Sequence, residues 1–317
     1  MSKSKSKHSK LLFAFVFFAI LIVGVVVIDS SFNGKLLNLS NLTGVMTHAI
    51  IPSFIAWGLS FIFACGYTDL SVGGIIVLAA NVASILGNKF GYAGVLLGGS
   101  GVAILLLFLN FCIFAYSKIP SWIAGLGMAM IYEASAVLFW KNIMSKGVDL
   151  DSNYRGFGQV PGIFIIFAVG LLLAYFLYNR STIGLSIRAI GSNWDVAHAI
   201  GIKGKSSLLA VGLISGVFVG CAAFISISYN VRITAKTGLT SLSLIFQPLA
   251  VLLLAQVLQK KINLIVAIPI CAFLISAIFN LLTIASIPSG TWQEAILGLC
   301  IIVFGIIAQR NNKGVVK

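Results

Sequence analysis

Two carboxylic acids stand in this chain where charge is expensive. Glu133 lies midway along the apolar stretch Pro120 to Trp140, and Asp69 sits in a tight turn just before Leu70. An ionisable group taken into hydrocarbon loses much of its hydration energy, so each is a candidate for function. Glu133 can line an aqueous pathway, bind a proton or hydrogen-bond a polyhydroxylated ligand; the structural alternative is a carboxyl bonded to a neighbouring helix. Asn81, Asn110, Gln247, Gln256 and Asn280 pose the same choice, because an amide in lipid can also simply hold helices together.

Other chemistry-bearing residues have simpler readings. GIKGKSS around Gly204, Lys205 and Ser206 has the ending of a phosphate-binding loop, but that pattern needs a glycine where Ala199 stands, and a preceding strand. Asp149 and Asp151 form one pair of nearby carboxylates in a polar loop, too little for a metal-dependent transferase acting on lipid diphosphates. Cys65, Cys112, Cys221, Cys271 and Cys300 lie in or beside apolar segments without paired spacing, and His8, His48 and His198 are scattered. Neither a disulfide framework nor a metal site is expected. No nucleophile, base and metal constellation for a membrane enzyme emerges. Trp57, Trp122 and Trp140 suit anchoring or packing better than stacking on a sugar.

The elements that must position these groups follow from composition. With 59% hydrophobic and 9% charged residues over 317 positions, the chain exceeds the apolar content of soluble domains and belongs in a bilayer. Crossing about 30 Å of hydrocarbon takes about 20 helical residues, each backbone amide being satisfied within its helix. Apolar stretches of that kind run from Leu11 to Ile28, Val45 to Cys65, Gly91 to Tyr116, Pro120 to Trp140, Val160 to Tyr178, Ser207 to Tyr229, Ile262 to Ile284 and Thr291 to Ala308. Leu70 to Gly87 and Leu242 to Leu258 are shorter, and Pro248 makes the second a candidate for a kinked or broken helix. The expectation is an all-α polytopic membrane protein of about ten transmembrane helices.

Basic residues favour that count. Ten spans with the N-terminus inside put most of the 21 Lys and Arg residues on the cytoplasmic side. Residues 1–10 then form a basic cytoplasmic N-terminus, 11–308 the membrane domain and 309–317 a cytoplasmic tail. The same asymmetry accounts for the net charge of +14 without nucleic acid as a partner. The first segment reads as a retained signal anchor in the cell membrane, since its apolar run is long and VVVIDSSFNG offers no small-x-small cleavage site.

One long interruption breaks the apolar pattern, RSTIGLSIRAIGSNWDVAHAIGIKGKS from Arg180 to Ser206. Within it Asn193 can cap a helix, Trp194 to Ile200 contain no breaker, and Gly201 can close it in the left-handed conformation. Trp194, Val196 and Ile200 can form an apolar docking face while Asp195 and His198 stay solvated; the alternative is a helix lying flat on lipid headgroups.

Two segments carry a resemblance. Asp69, Leu70, Ser71, Val72 and Gly73 in GYTDLSVGG resemble the G-I/L-D-L-S-V-G segment of ribose-type ATP-binding-cassette permeases, part of the branched-chain amino acid and ribose permease superfamily. KIPSWIAGLGMAMIYEASAVLFW resembles that family's next span. The interruption is similar to the family's cytoplasmic coupling loop, T-x-F/L-G-R-x-I/L-Y-A-I/L-G-G-N-x-x-A-A-x-x-S/T-G-I. Thr182, Gly184, Ala189, Ile190, Gly191, Asn193, Ala197, Gly201 and Ile202 occupy matching positions.

The resemblance implies a permease subunit working by alternating access. Its partners would be a second permease subunit, the same or different, a cytoplasmic ATPase that holds the ATP and Mg, and an extracytoplasmic binding protein delivering a small sugar-like solute. It implies no cofactor on this chain. Coupling to the ATPase falls to Gly191, Asn193, Trp194, Asp195, Val196, Ala197, Ile200 and Gly201. Asp69, Asn81, Glu133 and Asn280 are the candidate translocation pathway.

One segment departs from the family. Where relatives carry E-L-x-A-I-A-A-V-V-L-G-G-x-S-L-x-G-G, this chain has TSLSLIFQPLAVLLLAQVLQKKI from Thr240 to Ile262, without the glycines. That suits one half of a heterodimer whose partner keeps them. The competing class is a secondary transporter driven by an ion gradient at Glu133 or Asp69.

Overall fold

A computed structural model describes residues 34–117, 119–138, 146–287 and 290–311 of the protein. The basic N-terminus, the expected span Leu11 to Ile28, Trp140 and the tail from residue 312 lie outside the described residues. Within them the secondary structure is entirely helical.

The long helices are α1 (Leu39–Ala64), α2 (Val72–Tyr116), α3 (Ser121–Leu138) and α4 (Gly162–Tyr175), the last prolonged by a π turn at Phe176–Arg180. Two short helices, α5 (Thr182–Ser192) and α6 (Trp194–Ala199), lead to α7 (Gly204–Asn230). A 3-10 turn at Thr240–Leu242 opens α8 (Ser243–Leu258), followed by α9 (Leu264–Ile284) and α10 (Thr291–Asn311). Helix is the necessary solution for such sequences, because hydrocarbon offers the backbone no hydrogen-bond partner.

Eight of these segments are long and apolar enough to cross a membrane. The 45-residue α2 crosses twice. Gly91, at φ 67° and ψ −149°, breaks its helical path, which only glycine tolerates readily, and residues 92–116 fold back along 72–90. The two limbs meet where Gly94 faces the Leu86 carbonyl and Gly98 faces Ala83, with no room for a side-chain carbon between. Eight helices, one of them double, make nine crossings. These are nine of the ten spans expected; the other, Leu11 to Ile28, lies outside the described residues. Pro248 is accommodated within a continuous α8, so the expected break does not occur there.

Packing relies on small residues rather than on amphipathic faces. A Cβ on Gly212, Gly216 or Gly220 of α7 would lie 2.9, 2.5 or 2.6 Å from backbone of the second α2 limb. Without a hydrophobic force between helices in lipid, such close approach is what association depends on. The centre is aromatic: Trp57 of α1 stacks on Phe167 at 5.5 Å and donates its Nε1–H to the Ile265 carbonyl at 3.0 Å.

The loops sort to two ends. At one, Asn179 and Asn263 pair, Thr68 N–H donates to Ser121 Oγ at 3.0 Å, and the Arg180 to Ser206 segment folds. At the other, Asn88 Nδ2 donates to the Asp149 carbonyl at 2.8 Å and Leu150 N–H to Val231 O at 3.1 Å, while Asn41 and Asn280 exchange amide hydrogen bonds.

Candidate functional site

The segment that interrupts the apolar pattern forms two helices rather than one. Ser181 caps α5, its Oγ accepting from Gly184 N–H at 3.0 Å. Asn193 ends α5 and starts α6: its Oδ1 accepts from Asp195 and Val196 N–H at 3.0 and 3.1 Å. Gly201, at φ 89°, closes α6 with paired bonds, Ile202 N–H to Ala197 O and Gly201 N–H to His198 O, both 3.0 Å. Ala197 points inward. Trp194, Val196 and Ile200 are 43%, 56% and 69% exposed, so α6 presents an apolar surface at the end of the bundle, with Asp195 and His198 exposed beside it.

Backbone contacts seat the two short helices on the transmembrane body, and the Trp194 ring rests on Gly204 of α7. Gly191 of α5 abuts the Ala64 carbonyl at the end of α1, and Gly66 of the following turn, at φ 81°, lies 3.8 Å from Gly191 Cα by its missing Cβ. Sequence matching singled out Gly191 without indicating what it touches.

The turn under Gly191 carries Asp69. Its Oδ1 accepts from Ser71 N–H and its Oδ2 from Asn110 Nδ2, both at 2.8 Å. Asn110 also donates to Ser71 Oγ at 2.5 Å and accepts from the Tyr132 hydroxyl at 2.5 Å. Asp69 is 1% exposed and Asn110 wholly buried. The cluster ties the turn to both limbs of α2 and to α3, and every carboxyl oxygen in it is engaged.

Glu133 is placed by α3 against the opposite loop. Its Oε2 accepts from Leu239 N–H at 2.8 Å; its Oε1 accepts from Ser241 N–H at 2.8 Å and Ser241 Oγ at 2.6 Å. Those donors belong to the residues that start the 3-10 turn and α8, where free N–H groups would otherwise be orphaned. Gly73 backs the same turn against the Ser241 carbonyl. Of the four residues first considered for the pathway, Asp69 and Glu133 are bound up within the chain. Asn81 donates to Val77 O at 2.9 Å and leaves a buried Oδ1 without a partner among the described residues. Asn280 lines a cavity.

That cavity, about 350 Å3, lies between α1, α8, α9 and α10 with Gln247, Ser276, Asn280 and Gln293 in its wall. A second, about 230 Å3, continues toward α7 past Ser226, Tyr229 and Asn230. His48 and Gln247 line both. His48 Nε2 and the Tyr229 hydroxyl are 3.0 Å apart, ring edge to ring face. Sequence reasoning set His48 aside as isolated and passed over Tyr229 and Asn230 as the end of an apolar run. Ser226, Tyr229 and Asn230 on α7 and Ser276, Asn280 and Thr283 on α9 do recur at helical spacing, a local signal that could have been found, but nothing in the sequence links those two sets to each other or to His48 and Gln247.

A third cavity, about 520 Å3, shares Asn230, Ser243 and Leu244 with the second and reaches Arg232 and Lys236. Arg232 forms an exposed bidentate ion pair with Asp149. The hydrogen bond from Arg232 holds the Asp149 carboxyl below the usual carboxylate range, and Asp149 in turn raises the Arg232 guanidinium. No cluster of His, Cys, Asp or Glu suited to a metal occurs among the described residues.

Comparison with known proteins bears on these features. The family described as branched-chain amino acid transport system / permease component matches residues 41–305. The chain is 24% identical over 219 residues to the fructose import permease protein FrcC of Rhizobium meliloti, covering 65% of this chain and 61% of that one. It is 27% identical over 214 residues to the D-allose transport system permease protein AlsC of Escherichia coli, 66% of each chain. With the autoinducer 2 import system permease protein LsrC of Shigella flexneri it shares 25% identity over 290 residues, 89% of this chain and 82% of that one. The match spans from about three fifths to two thirds of the first such relatives. No solved structure is significantly similar.

Proposed function

The chain belongs to the branched-chain amino acid transport system permease family, and on that premise we propose that it is the membrane subunit of an ATP-binding-cassette importer for a small sugar or sugar-like solute. It is a multi-pass protein of the cell membrane. In this reading the Arg180 to Ser206 end faces the cytoplasm, as do both termini, and the Asp149 and Arg232 end faces outward. A separate ATPase holds ATP and Mg, an extracytoplasmic binding protein delivers the solute, and a second permease subunit completes the pathway.

The observation that carries the proposal is the exposed apolar face of α6 seated on the membrane body through Gly191. An exposed cluster of Trp194, Val196 and Ile200 on a capped helix suits the groove of a soluble partner. When the ATPase subunits close on ATP and part after hydrolysis, α6 travels with them. Because Gly191 rests on Ala64, the motion reaches α1 and the Asp69 turn, whose hydrogen bonds extend it to α2 and α3. Packed helices respond to such a push by rocking between two arrangements.

The ion-driven alternative places its coupling site on one of the two membrane acids. Asp69 and Glu133 have their carboxyl oxygens occupied by Ser71, Asn110, Leu239 and Ser241. The reading is tested by reconstituting the chain with the ATPase and binding protein encoded beside it and screening ATP-dependent uptake over pentoses, hexoses and nucleosides. Concentration of a solute by vesicles holding this chain alone, on a proton or sodium gradient, would overturn it.

A further inference from the structure

We infer that this subunit holds its solute in the outward half of the bundle, in the polar groove centred on His48 and Gln247, and that the groove is built for an uncharged polyhydroxylated compound. The inference rests on the transport reading above and adds a site and a chemical class to it.

The two joined cavities together have the size of a small-molecule site, which commonly runs to about 300–1,000 Å3. Their polar lining consists of amides, hydroxyls and one imidazole, with no Asp, Glu, Lys or Arg among the described residues. Amides carry both donors and acceptors, and a hydroxyl is both, so such a wall can answer sugar hydroxyls in either sense. A carboxylate or phosphate brought here would find no counter-charge, and an unpaired buried charge is heavily penalised. Among the described residues, cations line only adjoining cavities: Lys236 and Arg232, the latter paired with Asp149, line the third, and Arg155, whose Nε donates to the Leu150 carbonyl, lines another that shares Tyr229.

Unclaimed hydrogen-bonding capacity also distinguishes the groove from the two acids. Gln247 uses one N–H on Ser276 Oγ at 3.3 Å, and its carbonyl oxygen has no partner among the described residues. Among the described residues His48 is bonded through Nε2 alone, leaving Nδ1. Asn230 donates to Ser226 Oγ at 3.2 Å, and its Oδ1 has no partner among the described residues. These groups flank the junction of the two cavities, while Phe279 and the Tyr229 ring supply apolar surface for the C–H face of a sugar ring. Long, partly used hydrogen bonds fit a transporter, in which a solute held too tightly would not be released.

The test uses the full chain with its ATPase, second permease subunit and added binding protein in right-side-out membrane vesicles, carrying Ser243→Cys or Thr283→Cys, and a charged membrane-impermeant maleimide, with wild-type labelling subtracted. Both positions line the groove on separate cavities. We expect both to label from outside and most of the labelling to be lost in D-ribose, D-fructose or D-allose, whichever the wild type accumulates. Gluconate and ribose 5-phosphate should leave it unchanged. No labelling from outside would overturn the groove while leaving the transport reading intact, as would labelling that an accumulated sugar fails to slow. Equal protection by the charged compounds would overturn the chemical class. If the complete system accumulates nothing across pentoses, hexoses and nucleosides and none of them protects, the transport reading and this inference fall together.

Discussion

Gly191 of α5 and Ala64 of α1 meet backbone to backbone: the Ala64 carbonyl occupies the space where a side chain at position 191 would begin. The short helices are therefore held to a transmembrane helix at a point that admits only glycine. Gly191→Ala forces a separation, an overpacking that costs about 1–3 kcal/mol. We expect reconstituted ATPase activity to persist while uptake falls by roughly tenfold or more, the ratio set by about 1.4 kcal/mol. Equal uptake and ATPase activity in mutant and wild type would remove this contact from the coupling route.

The α6 surface predicts a binding defect without a folding defect. Trp194, Val196 and Ile200 are exposed, so Val196→Ser with Ile200→Ser should leave the melting temperature of the isolated chain within a few degrees, surface changes being within about 0.5 kcal/mol each. Co-purification of the ATPase should be lost. Trp194 packs its ring on Gly204, and its replacement should cost stability as well as binding.

Removing the Asn193 cap acts locally. Asn193→Ala withdraws the acceptor of Asp195 and Val196 N–H and should weaken the start of α6 by about 1 kcal/mol. Hydrogen exchange at residues 194–199 should speed up while the long helices are unaffected. Asn193→Asp or Asn193→Ser should restore protection.

Glu133→Gln tests the link between α3 and the loop entering α8. The carboxyl accepts on both oxygens, whereas an amide turns an N–H₂ toward one set of donors and leaves a buried N–H unpaired at a cost of about 1–3 kcal/mol. A lower melting temperature and reduced uptake are expected. Unchanged values for both would mean that the Leu239 and Ser241 bonds are dispensable.

The Asp149 and Arg232 pair gives a pH dependence confined to the outer loops. Asp149 is depressed in the folded protein, so the pairing is fully present above the ordinary carboxylate value of about 3.9 and is lost as pH falls through the lowered value. The protection of residues 146–151 from hydrogen exchange, taken relative to the intrinsic rate at each pH, should be flat from neutral to mildly acidic pH and fall only at strongly acidic pH. Asp149→Asn should show the fast exchange already at neutral pH.

The spans within the described residues, the twofold crossing of residues 70–116 and the capped helix at Asn193 were legible in the sequence, because each depends on local properties: length in hydrocarbon, a helix breaker, a cap. The second short helix, α5, escaped notice, and so did the tolerance of Pro248 within α8.

What the sequence could not yield is which polar groups face one another. Asp69 meets Asn110 and Tyr132, Glu133 meets Ser241, Asn41 meets Asn280, and His48 meets Tyr229, all from separate segments. In a soluble protein the apolar stripe of each helix reveals its buried side. Here lipid and protein interior are equally apolar, so the helices carry no such stripe, and only close packing at glycine and the pairing of scarce polar groups orient them. Tertiary structure alone decided that the two acids are bound within the chain and that amides and hydroxyls line the open groove.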